Sequence, residues 1–344
     1  MTAPSILIVG AGATGLPVGY HLSLAEADVT FLVRPGRKAP LSAAQRLYCY
    51  DDAELKTFDD YRVVDNITQL AGTSFQFVII TLDGHTSRAP EGIELLRGLG
   101  NVVRACDAHV IMCGFGLGVR EHHLQALGIE EDRLTHGFLG MLSHQATADL
   151  PIHPPTDPAH VAQASICYRH PANRTGFRIE TGNATAAQQF AELYERSGVS
   201  KCAQISREVD NVLSNAASPV YAAGELAGWP DFATLTRDEE LWGLACRAQA
   251  EIMTLPRHGR TGQQMAKAMG PRETARAHQN IEREMLPLDY RAFNRFHHGG
   301  KVRSQDVETL HDCLAEGRRS GHAMLALEEL LNRLETHHAD GHSR

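Results

Sequence analysis

The stretch that decides the fold is Ile6-Leu7-Ile8-Val9-Gly10-Ala11-Gly12-Ala13-Thr14-Gly15. Residues 6–9 are all apolar and predict a buried strand, and residues 16–25 predict the helix that follows. Between them lies a complete G-x-G-x-x-G pattern, which is specific for dinucleotide binding only in this strand–loop–helix context. Gly10 permits the tight turn, Gly12 lets the backbone approach a pyrophosphate, and Gly15 lets the helix pack on the strand. The competing interpretation is a plain glycine turn.

Outward from this loop, the first half of the chain alternates β-branched runs with helical patterns, which predicts βαβ units on a parallel sheet. Residues 165–168 and 177–180 predict an antiparallel extension of that sheet. From residue 206 onward the pattern is helical. We therefore predict an α/β fold with these parts: an N-terminal Rossmann-type doubly wound sheet (1–205), an all-helical domain for substrate binding and dimerisation (206–335), and a disordered tail (336–344).

Composition excludes several classes of protein. The formal net charge of −8 argues against nucleic acid or an anionic membrane surface as a partner. The 7 cysteines are scattered without a C-x-x-C pair, which is typical of reduced thiols and not of a disulfide framework. The apolar runs are of strand length, and the first is interrupted by glycines, so no signal peptide or membrane span is predicted. We expect a cytoplasmic protein with no metal site, because the histidines show no defensible ligand spacing.

The end of the second predicted strand distinguishes NAD from NADP. An NAD site usually places Asp or Glu there, about 20 residues after the loop, to bind the ribose 2′-hydroxyl. This chain has Arg34, followed by Arg37 and Lys38. Positively charged side chains at this position can bind a 2′-phosphate through charge-assisted hydrogen bonds, so the sequence predicts NADP(H). The alternative is a solvated basic loop.

The phosphate loop, the arginine after the second strand and the helical second half together resemble the ketopantoate reductase family. Residues 212–219 look like the first C-terminal helix of that family, which ends just before a proline, here Pro219. Residues 300–321 look like its last substrate-side helix. The resemblance implies that NADPH reduces the ketone of a 2-oxo acid in a cleft between two domains. We expect this chain to be an NADP-dependent oxidoreductase acting on CH–OH or C=N groups.

The resemblance also shows where this chain departs from the family. The family's catalytic lysine position falls at Asp210, and its two asparagine positions fall at Ser214 and Ser218. A third asparagine position, at a strand end, falls at Cys113, next to Gly114. A coenzyme-side lysine position, directly after Leu82, falls at Asp83, and a glutamate position on the last substrate-side helix falls at Gln305 or Asp306. We expect Leu82, Asp83, Cys113 and Gly114 to contact the coenzyme.

Read without the family, Asp210, Ser214 and Ser218 are spaced to lie on one helical face. Asn211 and Asn215 form the adjoining stripe, and a substrate or a solvent-facing surface would equally satisfy these groups. With the lysine absent, the candidate proton donors are Asp210, His297 and His298. The histidines lie in an unusual His-His-Gly-Gly-Lys segment that is also compatible with a polar turn, and Asn294 just upstream is a candidate substrate-binding residue.

Three functions remain open at this point. The first is an NADPH-dependent reductase of this superfamily that acts on a small oxo or imino compound. The second is a non-catalytic NADP(H)-binding regulatory protein. The third is a genuine 2-dehydropantoate 2-reductase with a rebuilt site. An Asp in place of a Lys favours a substrate with a basic or neutral polar group near the reacting carbon. Symmetric dimers are the commonest soluble oligomers, so a homodimer is compatible with the sequence.

Overall fold

The computed structural model describes residues 3–341. The chain forms two compact units. One comprises the residues up to Gly114 together with Gly118–Ser206, and the other comprises Phe115–Leu117 together with the residues from Arg207 onward.

The first unit is built on two sheets. Its strands are β1 (Ser5–Val9), β2 (Asp28–Leu32), β3 (Gln45–Cys49), β4 (Glu54–Phe58), β5 (Arg62–Val64), β6 (Phe77–Ile80), β7 (His109–Met112), β8 (Leu134–Leu139), β9 (Leu142–Gln145), β10 (Ile166–Arg169), β11 (Thr175–Glu180) and β12 (Lys201–Ile205). Its helices are α1 (Gly15–Leu24), α2 (Lys38–Leu41), α3 (Gly84–Arg88), α4 (Pro90–Arg104), α5 (Val119–Leu127), α6 (Pro158–Gln163) and α7 (Ala184–Glu195).

The larger sheet has 8 strands in the order β12-β11-β8-β7-β6-β1-β2-β5. β1 pairs in parallel with β2 on one side and with β6 on the other, so the later strands are added on opposite sides of β1. In open α/β sheets, ligands bind beyond the carboxyl ends of the strands at such a switch point. The predicted glycine loop follows β1 and therefore lies at this point. The Rossmann-type sheet and the helical second half predicted from the sequence are confirmed.

Of the two segments predicted to extend the large sheet in antiparallel fashion, one does so and the other does not. Strand β11 pairs antiparallel with β8 and extends the large sheet, as expected for residues 177–180. The expectation for residues 165–168 is wrong, because β10 lies in a second sheet of 4 strands, ordered β4-β3-β10-β9. There β10 pairs in parallel with β3 and antiparallel with β9, and these partners satisfy its backbone groups.

The second unit is helical. Its helices are α8 (Arg207–Ala216), α9 (Ser218–Leu226), α10 (Phe232–Leu235), α11 (Glu239–Met253), α12 (Gly259–Ala268), α13 (Pro271–Glu284), α14 (Tyr290–Phe296), α15 (Arg303–Arg319) and α16 (Leu325–Gly341). A π-helical turn, His297–Lys301, separates α14 from α15. Within residues 3–341, no helix combines the length and apolar character that a membrane span requires.

The disordered tail predicted from residue 336 is not observed for most of its length, because α16 runs on to Gly341. The buried residues Leu327, Leu330, Leu331 and Leu334 anchor this helix in the core. Near its end, His338 Nε2 lies 2.6 Å from Glu225 Oε1. Packing of this apolar stripe explains why a polar, histidine-rich segment stays helical. Residues 342–344 of the predicted tail lie outside the described residues.

Candidate functional site

Two glycines of the phosphate loop are required by the fold itself. Gly10 adopts φ +103°, a conformation that residues with a side chain rarely adopt, and its amide donates to Leu32 O at 2.9 Å. A Cβ on Gly15 would lie 2.0 Å from Gly10 O. These two positions therefore hold the end of β1 against β2 and the start of α1.

Gly12 is different, because nothing in the protein requires a glycine there. A Cβ on Gly12 would meet no heavy atom within 4 Å, and its φ lies outside the left-handed region. Within the described chain, the side chain of Thr14 does not cap α1 and the first turn of this helix carries no acidic residue, so neither offsets the partial positive charge at its N-terminus. An open space over a glycine at an uncapped helix start fits a pyrophosphate. Ala11 and Ala13, on either side, complete the loop.

Beyond β2, the three predicted basic residues differ in their surroundings. Arg34 and Arg37 are exposed, and the Arg37 amide closes a turn onto Arg34 O at 3.0 Å. Lys38 Nζ instead lies 3.8 Å from a carboxylate oxygen of Asp65, which follows the neighbouring strand β5. The two arginines are thus the more available partners for an anion.

The predicted coenzyme residues after β6 and β7 lie together but have structural explanations. Asp83 caps α3, accepting from the Thr86 amide at 2.7 Å. Gly114 packs against the chain after Leu82, since a Cβ there would lie 3.0 Å from Leu82 O. Burial raises the pKa of the Cys113 thiol to about 12, which keeps it neutral.

In the second unit, the polar residues predicted along α8 differ in how deeply they are buried. Asp210, Asn215 and Ser218 are buried, Ser214 is half-buried, and Asn211 is exposed. On the adjoining stripe, Asn215 is turned into the protein, whereas Asn211, one turn earlier, is exposed. Pro219 lacks an amide proton, and the helix is interrupted just before it, so Ser218 opens α9 instead of extending α8.

Part of this polar face is satisfied by its own helix. Ser214 Oγ donates to Asp210 O at 2.8 Å, and Asn215 Nδ2 donates to Asn211 O at 2.8 Å. Asn215 Oδ1, by contrast, is buried without a hydrogen-bond partner within residues 3–341. The face therefore retains an acceptor for a ligand donor or a water.

The His-His-Gly-Gly-Lys segment forms the π-helical turn. The Val302 amide donates to His297 O at 2.8 Å, five residues back. Gly299 makes this possible, because a Cβ there would lie 3.0 Å from the Trp229 indole. Such turns often occur at functional sites, where they redirect side chains out of helical register. Here the two histidine rings stand at 89° to each other.

His297 and His298 consequently have different surroundings. His297 stacks on Phe293 with ring centroids 5.3 Å apart, and burial lowers its pKa well below the usual range. His298 stacks on Tyr221 with centroids 3.4 Å apart, and its Nδ1 lies 2.8 Å from Asp306 Oδ2. His298 therefore has a carboxyl partner for proton transfer, and the imidazole of His297 faces an aromatic ring instead.

Burial acts on the pKa values of both members of the His298–Asp306 pair. Burial raises the pKa of Asp306 to about 8, with Arg303 acting against the rise, and burial lowers the pKa of His298 to about 3. Both shifts favour the neutral forms. A neutral carboxylic acid hydrogen-bonded to a neutral imidazole can give up a proton near pH 7.

A chain of hydroxyl and amide groups lies beside this pair. Tyr290 is hydrogen-bonded to both Tyr221 and Asn294. Burial raises the pKa of Tyr290 to about 12 and that of Tyr221 further, so both phenols remain neutral. Asn294 was predicted from the sequence as a substrate residue and is 3% exposed. Tyr221 and Tyr290 were not predicted from the sequence, since no motif marks them.

Comparison with known proteins agrees with this architecture. Residues 6–89 match the family model described as "Ketopantoate reductase PanE/ApbA". The resemblance to ketopantoate reductases is confirmed. Among curated protein sequences, none matches this chain.

Solved structures show the same fold along nearly the whole chain. The 2-dehydropantoate 2-reductase from Methylococcus capsulatus superposes with a TM-score of 0.67 at 16% identity, covering 98% of this chain and 97% of its own. The enzyme from Geobacter metallireducens GS-15 gives 0.65 at 16%, with 96% and 99% covered. A complex of D-mandelate dehydrogenase with NADH gives 0.64 at 11%, with 98% and 99% covered.

Proposed function

We propose that this chain is an NADPH-dependent reductase that transfers a hydride to a small oxo or imino compound. The observation that carries the proposal is Gly12, a glycine that the protein's own packing does not require, beside the uncapped start of α1. Bound NADPH supplies the hydride. The loop residues Gly10–Gly15 hold the pyrophosphate through backbone amides, and Leu82, Asp83, Cys113 and Gly114 line the coenzyme site.

Coenzyme choice rests on Arg34 and Arg37. A guanidinium can form paired hydrogen bonds to a phosphate, whereas a free 2′-hydroxyl needs an acceptor. The NADH in the D-mandelate dehydrogenase structure belongs to that protein. Lys38 contributes less in our proposal, because Asp65 already engages it.

The proton comes from the His298–Asp306 pair in this proposal. As the hydride reaches the substrate carbon, negative charge develops on the carbonyl oxygen or imine nitrogen and must be neutralised. Protonated Asp306 gives its proton to His298 Nδ1, while His298 Nε2–H gives one to the substrate atom. Tyr221 keeps the imidazole plane fixed during this transfer.

This assignment revises the roles expected for the other candidates. Within residues 3–341, His297 has no carboxyl partner and stacks on Phe293, so we assign it to shaping the turn. Asp210, Ser214, Asn215, Ser218 and Asn294 remain proposed substrate contacts. A carboxyl group at Asp210, in place of a lysine, would disfavour an anionic group and favour a neutral or basic one near the reacting carbon.

A substrate panel tests the proposal. NADPH consumption would be followed with 2-oxo acids, neutral ketones and cyclic imines, alongside direct measurement of NADPH binding. We expect turnover of a neutral or basic substrate and slow turnover of ketopantoate. Tight NADPH binding with no turnover of any compound would favour a regulatory protein. Efficient turnover of ketopantoate would favour a rebuilt 2-dehydropantoate 2-reductase. Light scattering would test the predicted homodimer in the same preparation.

A further inference from the structure

A second cluster of chemically reactive side chains lies in the first unit, within the 4-stranded sheet. Strands β3 and β10 are parallel neighbours, with Tyr168 opposite Cys49. Cys49 is the last residue of β3, Asp51 lies in the turn after it, and His170 follows β10. Because the carboxyl ends of parallel strands meet at one edge, the sheet brings these three side chains together.

The three donor atoms form a tight group. Cys49 Sγ lies 3.4 Å from Asp51 Oδ2, and His170 Nδ1 lies 2.5 Å from the same oxygen. All three atoms lie within 4.8 Å of one another. His170 is 2% exposed and Cys49 is 4% exposed, so bulk water barely reaches them. A thiol, a carboxylate and an imidazole are together the donor set that Zn²⁺ prefers.

In His170 and Asp51, the atoms that face away from the group of three donors already contact other protein side chains. His170 Nε2 lies 3.0 Å from Ser200 Oγ, which leaves Nδ1 as the inward nitrogen. The Arg169 guanidinium contacts Asp51 Oδ1, whereas Oδ2 is the oxygen beside Cys49 Sγ and His170 Nδ1, so Oδ2 is the oxygen that faces the other two donors. Such outer contacts fix the orientation of ligands in protein metal sites.

The contact between Ser200 and His170 requires a residue without a side chain at position 176. A Cβ at Gly176 would lie 1.9 Å from Ser200 Oγ and 3.1 Å from His170 Nε2. The position therefore has to be a glycine if Ser200 is to reach the imidazole.

We propose that Cys49 Sγ, Asp51 Oδ2 and His170 Nδ1 bind a zinc-class divalent cation. On binding, the thiol releases its proton to solvent. The imidazole proton moves from Nδ1 to Nε2, and the Nε2–H group then donates a hydrogen bond to Ser200 Oγ. The thiolate and the carboxylate offset the charge of the cation, and Arg169 stays on Oδ1. The cation links the ends of β3 and β10, and its role is to stabilise this sheet.

Cobalt is the probe that tests the site, because a thiolate–Co²⁺ bond gives a near-ultraviolet charge-transfer band that histidine-only sites lack. The full chain, stripped with a chelator, would be titrated with Co²⁺ and then with Zn²⁺. We expect the band to saturate at about one equivalent, Zn²⁺ to abolish it, and Zn²⁺ to raise the melting temperature. A wild-type chain with no band and no shift in melting temperature would overturn the proposal, whatever the variants do.

Matched cysteine variants locate the site. Cys49→Ser keeps a hydroxyl that can donate to Asp51, and it should lose both the band and the stabilisation by Zn²⁺. Cys167→Ser, a buried thiol on β10, should keep both. His170→Gln should weaken Co²⁺ binding at least 10-fold, because even the loss of an outer contact to a ligand costs about 10–100-fold. A band that survives in Cys49→Ser, or that disappears only in Cys167→Ser, would contradict the assignment.

Discussion

The imidazole of His298 lies flat on the phenol ring of Tyr221, with centroids 3.4 Å apart and ring planes within 9°. This stack excludes water from one face of the imidazole and directs its Nδ1 toward Asp306 Oδ2, 2.8 Å away. The two neighbouring histidines of the π-helical turn point in different directions, with their rings at 89° to each other, so only His298 stacks on Tyr221. The orientation of this imidazole, the proton donor in our proposal, is thus fixed by an aromatic contact between α9 and the turn.

The first prediction concerns Asp306→Asn. The amide keeps the size of the side chain and a hydrogen bond to His298 but cannot supply a proton. We expect kcat to fall by about 10²–10⁴-fold, the usual contribution of a general acid, while the dissociation constant for NADPH stays unchanged. Asp312→Asn, on the same helix, is the matched control and should leave kcat within a few-fold of wild type. Equal losses in both variants would show that the effect is on folding.

The second prediction follows from the titration of the His298–Asp306 pair. Its folded pKa values are about 3 for His298 and about 8 for Asp306, against ordinary values of 6.5 and 3.8. Between about pH 4 and 6.5 the folded and unfolded chains bind equal numbers of protons at this pair, so its contribution to stability is constant. Above about pH 6.5 only the folded chain keeps the proton, so stability falls until about pH 8.

Urea unfolding between pH 6.5 and 8.5 measures this effect. Relative to Asp306→Asn, wild type should lose about 2 kcal/mol over the window, since each pH unit contributes up to about 1.4 kcal/mol. Groups that titrate in both proteins cancel in the difference. A difference that does not change with pH would mean that Asp306 is already ionised in the folded protein.

The third prediction separates coenzyme binding from stability in the phosphate loop. Gly12→Ala adds a methyl group where no atom lies within 4 Å, so the free energy of unfolding should be unchanged or rise by up to about 1 kcal/mol. NADPH affinity should nevertheless fall sharply, because the methyl group takes the space of the pyrophosphate. Gly15→Ala forces a contact with backbone and should cost about 3 kcal/mol. Fluorescence titration and thermal melts distinguish the two variants, and unchanged NADPH affinity in Gly12→Ala would remove the main support for the proposed function.

The fourth prediction tests coenzyme preference. Arg34→Ala should weaken NADPH binding by about 10–100-fold, the loss expected for one charge-assisted hydrogen bond, and leave NADH binding unaffected. Lys38→Ala should have a smaller effect because of its ion pair with Asp65. Parallel titrations with both coenzymes give the ratio. An equal effect of Arg34→Ala on NADH would show that the arginine does not recognise the 2′-phosphate.

The sequence predicts those parts of the fold whose signals are local. The apolar run of β1, the three glycines and the start of α1 lie within 20 residues, and each has a direct physical requirement. The 4-stranded sheet was missed because β3 and β4 mix polar and apolar residues, and because β10 finds its partner β3 far away in the chain. Short strands of this kind have no sequence signal of their own.

In the candidate site, too, local patterns could be predicted from the sequence, whereas contacts between distant residues could not. The composition of the His-His-Gly-Gly-Lys segment marked it as unusual, but the close packing of Gly299 on the Trp229 indole joins residues far apart in the chain, which the sequence does not connect. Asp306 and Tyr221 meet His298 from different helices. Likewise, His170 and Asp51 are 119 residues apart in the chain, so ligand spacing could not reveal the cluster at β3 and β10.

The contact between His170 and Ser200 bears on how the first unit unfolds. It joins the 4-stranded sheet to the segment that leads into β12 of the larger sheet, and the two sheets also share one hydrophobic core that includes Ile8, Leu47 and Ile166. Neither sheet can open without exposing the other's apolar face to water. We therefore expect one cooperative transition for this unit, with amide protons of β3 and β10 exchanging as slowly as those of β1.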